Sequence, residues 1–63
     1  MKKVSKLPDY KKWISEFRIM INGKEYMVFQ SLRSYEKGRR SRMFVNIDGE
    51  WFELEDKEKL DVY

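Results

Sequence analysis

The sequence predicts a mainly β (α+β) fold: a four-stranded antiparallel meander with a short N-terminal helix. Three observations predict it. Asn22-Gly23 and Asp48-Gly49 each separate two runs in which apolar and polar residues alternate, the pattern of a β-hairpin closed by a two-residue turn. Both central residues of such a turn need positive φ, which glycine adopts freely and Asn or Asp tolerates. Upstream, Tyr10, Trp13, Ile14 and Phe17 fall at i, i+3, i+4 and i+7, the spacing of one helix face.

In chain order, residues 1–7 read as a basic flexible arm and residues 8–63 as a single small β-rich domain. Pro8 suits the first turn of a helix, where its missing N–H would have no intrahelical partner anyway. That places the helix over Pro8–Ser15. The first hairpin pairs Glu16–Ile21 with Lys24–Phe29, setting Ile19 opposite Tyr26 and Phe17 opposite Val28. The second pairs Arg42–Ile47 with Glu50–Glu55, setting Val45 opposite Phe52, Met43 opposite Leu54 and Arg42 opposite Glu55.

The connection between the hairpins must keep their apolar faces in phase, because a slip of one residue inverts a strand. A turn at Lys37-Gly38, or a loop over Glu36–Arg39, aligns Leu32 with Met43, Gln30 with Val45 and Val28 with Ile47. The expected inner face is then Phe17, Ile19, Ile21, Tyr26, Val28, Leu32, Met43, Val45, Ile47, Phe52 and Leu54. The outer face receives Arg18, Met20, Met27, Phe29, Phe44, Asn46, Trp51 and Glu53. One face of a single sheet needs a cover, supplied by the helix, by curling of the sheet or by a second chain. Asp56–Lys59 reads as a helical turn and Leu60–Tyr63 as a short fifth strand. Meander, helical turn and final strand together resemble an SH3-like barrel in architecture, which carries no function by itself.

Composition excludes more than it identifies. The chain has 63 residues and neither Cys nor His. Disulfides, thiolate–zinc sites and the usual general base are thereby ruled out. With 16% aromatic residues the chain is too rich in rings for a disordered tail. No apolar run approaches the roughly 20 residues of a membrane span. The basic start lacks the apolar stretch of a signal peptide, so an intracellular, cytoplasmic protein without membrane contact is expected. Ala and Thr are absent while Lys, Glu, Ile, Tyr and Phe abound. This bias suits an AT-rich genome such as that of a phage or virus, or a thermophile. There is no nucleophile motif, phosphate-binding loop or zinc spacing. The carboxylates of Glu53, Glu55, Asp56 and Glu58 read as a solvated surface rather than an acid/base or metal site. No enzyme activity, cofactor or metal is expected.

Charge is segregated. Met1–Lys24 holds seven basic and two acidic residues, and Arg33–Arg42 five basic and one acidic. Asp48–Tyr63 holds seven acidic and two basic, although the whole chain carries only +3. Such asymmetry points to a charged partner. The candidate binding residues are Arg33, Tyr35, Lys37, Arg39, Arg40 and Arg42 at the basic hairpin tip, with Phe44 and Trp51 on the strands below. Guanidinium groups fork onto carboxylate or phosphate oxygens, and aromatics with Arg are the residue types of interface hot spots.

Two functions follow. The first is a small non-enzymatic protein-binding modulator, such as a phage- or virus-encoded inhibitor docking on a host protein or effector complex. The second is a nucleic-acid-binding β-module, with Arg and Lys on phosphates and rings stacked on bases. The acidic third favours a protein partner with an acidic surface over a nucleic acid, because a dedicated phosphate binder shows a more uniform basic excess. A homodimer formed through an exposed strand edge is compatible with both.

Overall fold

The computed structural model describes residues 1–38 and 42–63. Its centre is a five-stranded antiparallel sheet built from β1 (Lys2–Val4), β2 (Trp13–Ile21), β3 (Lys24–Ser31), β4 (Phe44–Ile47) and β5 (Glu50–Glu53). The strand order is β1-β5-β4-β3-β2, and the sheet remains open. A short helix, α1 (Leu32–Glu36), follows β3, and a 3-10 turn spans Glu58–Asp61.

Both turns form where the dipeptides predict. Asn22 and Gly23 have φ of 50° and 78°, and Asp48 and Gly49 have 53° and 85°. Asn46 adds a local brace, its Oδ1 accepting the Gly49 N–H at 3.1 Å. The registers follow from these turns: Ile19 faces Tyr26, Phe17 faces Val28, and Val45 faces Phe52. Leu54 lies just past β5, yet its N–H still bonds the Met43 carbonyl at 2.9 Å.

Alternation then sorts the side chains by face. The core consists of Ile19, Val28, Met43, Val45, Leu54 and Val62, flanked by half-buried Met1, Phe17, Ile21, Tyr26, Ile47 and Phe52. All of these except Met1 and Val62 are expected inner-face residues. The cover is the segment after β5. Val62 inserts into the core, and Tyr63 exchanges two backbone hydrogen bonds with Arg18 of β2, at 2.6 and 2.8 Å. The expected strand over Leu60–Tyr63 is thus reduced to one bridge, because Leu60 and Asp61 belong to the 3-10 turn. The helical turn expected over Asp56–Lys59 forms two residues later.

Three expectations need correction. Pro8–Ser15 is not a helix: Pro8–Lys12 is irregular and β2 starts at Trp13. The pairing of β2 with β3 shifts by one residue between Ile14 and Phe17. This is a bulge, which flips the facing of every residue before it. Tyr10 and Trp13 therefore cover the outer face, while Phe17 points inward, and together they mimic a helical stripe. Arg18 braces the bulge by donating to the carbonyls of Ser15 and Phe17 at 3.2 and 3.1 Å.

The second correction is the middle register. Aligning Val28 with Ile47 would set Phe29 beside Asn46, but Phe29 faces Phe44. The offset is two residues, so the faces stay in phase. Leu32 leaves the sheet at this point because Ser31 caps α1, its hydroxyl accepting the Ser34 N–H at 3.1 Å.

The register that pairs Phe44 with Glu53 keeps Arg42 on the Glu55 side of the ladder, while its guanidinium reaches diagonally to Glu53. The third correction is at the N-terminus. Lys2–Val4, within the segment expected as an arm, forms β1 against β5.

Candidate binding surface

A groove of about 680 Å³ lies between the irregular Asp9–Lys12 segment and α1. Its walls are Asp9, Tyr10, Lys11 and Lys12 on one side and Ser31, Leu32, Arg33 and Glu36 on the other. A hydrogen bond from Leu32 N–H to the Lys12 carbonyl, 3.0 Å long, ties the two walls. Tyr10 is held in place by packing on Trp13, with ring centroids 4.8 Å apart. Trp13 in turn meets Phe44 edge-on at 5.8 Å. The groove wall therefore rests on the outer face of the sheet.

The ion pairs decide which charges reach a partner. Much of the acidic C-terminal third is engaged within the protein. Glu50 meets Lys3 at 3.0 Å, Asp56 meets Lys59 at 3.1 Å, and Glu58 meets the Met1 ammonium at 2.7 Å. Burial opposes the Glu58 charge, but hydrogen bonds from that ammonium and from the Glu55 backbone outweigh it and lower the carboxyl's pKa. Glu53 grips Arg42. Lys11, Lys12, Arg33 and Lys37 form no ion pair among the described residues, and all four are exposed. Cations without a partner keep their full field for an incoming anion.

The predicted site residues separate into three groups. Arg33 lines the groove, and Lys37 caps the C-terminal end of α1. Tyr35, also on α1, leans on Phe17 with centroids 5.7 Å apart. Arg42 and Phe44 form a structural pair: the guanidinium lies 5.2 Å over the Phe44 ring, and Phe44 has no solvent exposure. Phe44 is therefore covered floor rather than an accessible stacking ring. Trp51 stands apart, half-buried on the outer face against Phe29 at 5.3 Å. Arg39 and Arg40 lie outside the described residues.

Tyr10, Lys11 and Lys12 were not legible as site residues, because a helical reading turned their segment into a core stripe. Two adjacent lysines after an acidic residue were the available signal. Among the described residues there is no cluster of three or more His, Cys, Asp or Glu able to hold a metal ion. No helix among them is long and apolar enough to cross a membrane.

No family model matches the chain, and neither a curated protein nor a solved structure is similar to it. The geometry of the surface is therefore what any functional reading rests on.

Proposed function

We propose that this protein is a small non-enzymatic binding modulator that docks on an acidic surface of a partner protein through its basic pole. The reading is of an inhibitor, of the kind a phage or virus directs at a host enzyme or effector complex. The observation that carries it is the contrast in pairing: acidic residues of the C-terminal third are taken up by internal ion pairs, while Lys11, Lys12 and Arg33 line one groove with no ion pair among the described residues. Opposite potentials speed encounter and exclude wrong partners. The bonds from the final segment back to β2 support an SH3-like plan as a reading of this mainly β fold, and the proposal does not depend on it.

The nucleic-acid reading loses two of its supports. Phe44 is covered and offers no face to a base. Arg42 spends its guanidinium on Glu53 instead of a phosphate.

The test is capture of a partner from nuclease-treated extract of the source cells, using the whole chain as bait. One protein should be retained by the parent and lost by a Lys12→Glu/Arg33→Glu variant that melts like the parent. Exposed charge changes move stability by less than about 0.5 kcal/mol, so folding should survive. Equal retention by the variant, or capture that vanishes with nuclease, rejects the proposal.

A further inference from the structure

We infer that the groove receives an extended acidic segment of the partner, laid along Asp9–Lys12 as an added strand-like chain. This rests on the basic-pole reading and specifies how that pole is used. Three features of the groove converge on such an occupant.

The first is size and shape. About 680 Å³ lies within the ~300–1,000 Å³ typical of built ligand clefts, and the space runs between two lengths of chain rather than into the core. The second is charge: Lys11, Lys12 and Arg33 outnumber Asp9 and Glu36 along the walls. Carboxylates spaced along a peptide suit cations on both walls, and Arg33 can take one in a two-point fork.

The third is the backbone, and it favours a peptide over a nucleic acid. Asp9, Tyr10 and Lys11 make no backbone–backbone hydrogen bond among the described residues. Their N–H and C=O groups take no part in the sheet's backbone pairing among the described residues. An extended peptide pairs with such groups through its own amides, whereas a phosphodiester chain can use only the donors. Tyr10 adds an apolar wall fixed by Trp13, against which an aromatic or aliphatic residue of the segment would pack. Specificity would then come from alternation: carboxylates toward Lys11, Lys12 and Arg33, and an apolar side chain toward Tyr10.

The experiment uses the full chain, labelled with nitrogen-15, and three probes. These are a twelve-residue peptide alternating glutamate and tyrosine, the same peptide with glutamine replacing glutamate, and a twelve-nucleotide oligo-dT. The acidic peptide should shift the amide resonances of Asp9–Lys12, Leu32 and Arg33, and slow hydrogen exchange at Asp9–Lys11. It should bind at least fivefold more tightly than either comparison probe. Lys11→Glu/Lys12→Glu should weaken it at least tenfold, and Tyr10→Ala by a smaller factor with the charge response retained.

Equal or tighter binding of oligo-dT, or shifts centred elsewhere on the protein, overturns the inference. A double lysine variant that loses the cellular partner while the acidic peptide leaves Asp9–Lys12 unperturbed rejects the strand-like mode alone and leaves the basic pole standing. Full retention of the cellular partner by that variant rejects the basic pole itself.

Discussion

Arg42 holds Glu53 through two parallel hydrogen bonds, Nε to Oε2 at 3.0 Å and Nη2 to Oε1 at 2.8 Å. The fork ties Arg42, two residues before β4, to the last residue of β5, and it lays the guanidinium over Phe44. Those bonds favour the charged carboxylate and hold the Glu53 pKa below its ordinary value, against the opposing effect of burial. The consequence for pH has a definite sign. A carboxyl whose pKa is lower folded than unfolded stabilises the fold above its unfolded value, and that stability is lost as pH falls through the folded value. Glu53→Gln should therefore lower the melting temperature near neutrality and have little effect well below pH 4. Because Arg42 is half-exposed, the neutral-pH effect should be about 1 kcal/mol or less. Equal destabilisation at both pH values would show that the pair's charge contributes nothing.

The turn glycines give a second expectation. Gly23 and Gly49 hold φ of 78° and 85°, and a Cβ built at either site meets nothing within 4 Å. Alanine there is penalised by backbone conformation alone, by about 1–2 kcal/mol. Thermal melts of Gly23→Ala and Gly49→Ala should both shift downward. Their double variant should show a nearly additive loss, since the two changes share no packing partner. Unchanged melting in both single variants would contradict positive φ at these turns.

Phe44 and Trp51 look equivalent in the sequence, and the structure separates them. Phe44 is fully covered, by Trp13 on one side and Arg42 on another. Trp51 is half-buried and touches Phe29 edge-on. Phe44→Ala should cost about 3–5 kcal/mol, which consumes most or all of the stability expected of so short a chain. Trp51→Ala should leave a folded protein with a lower melting temperature. Circular dichroism and thermal melts of the two variants check this, and a folded Phe44→Ala protein alongside an unfolded Trp51→Ala would reverse the assignment.

What the sequence showed and what it hid have physical causes. The hairpins were readable because a turn that needs positive φ at two adjacent residues admits few dipeptides, and that turn then dictates the register of both flanking strands. The face of each strand followed by alternation, which is why Ile19, Val28, Met43, Val45 and Leu54 were placed correctly in the core. The segment before β2 was misread because a bulge disguises itself: one extra residue between Ile14 and Phe17 turned two outer-face rings and one inner-face ring into a helical spacing. The middle register escaped because Ser31 ends β3 by capping α1, a choice between strand and cap that alternation does not see. The groove was hidden for the same reason as the bulge, since Tyr10, Lys11 and Lys12 gain their meaning only from the irregular path they follow.

The segment after β5 yields the last prediction. Val62 completes the core, and Tyr63 fastens it to β2 through two backbone bonds with Arg18. The Tyr63 hydroxyl also donates to Glu25 at 2.8 Å, and Arg18 lies 3.9 Å from the same carboxylate. That hydrogen bond favours the protonated phenol, so the Tyr63 pKa is raised above its ordinary 10.0. A group whose folded pKa is raised stabilises the fold fully below its unfolded pKa and loses that contribution as pH rises through the folded value. Fastening should therefore persist through neutrality and weaken in strong alkali. Tyr63→Phe removes the hydroxyl but keeps the backbone bridge, so it should melt slightly below the parent near neutrality, and the difference should close as pH rises through the folded pKa of the phenol. Val62→Asp places an unpaired carboxylate among apolar side chains and should unfold the domain or expose the core to a hydrophobic dye. A Val62→Asp protein that melts like the parent and binds no dye would show that the inner face is covered by something other than this segment.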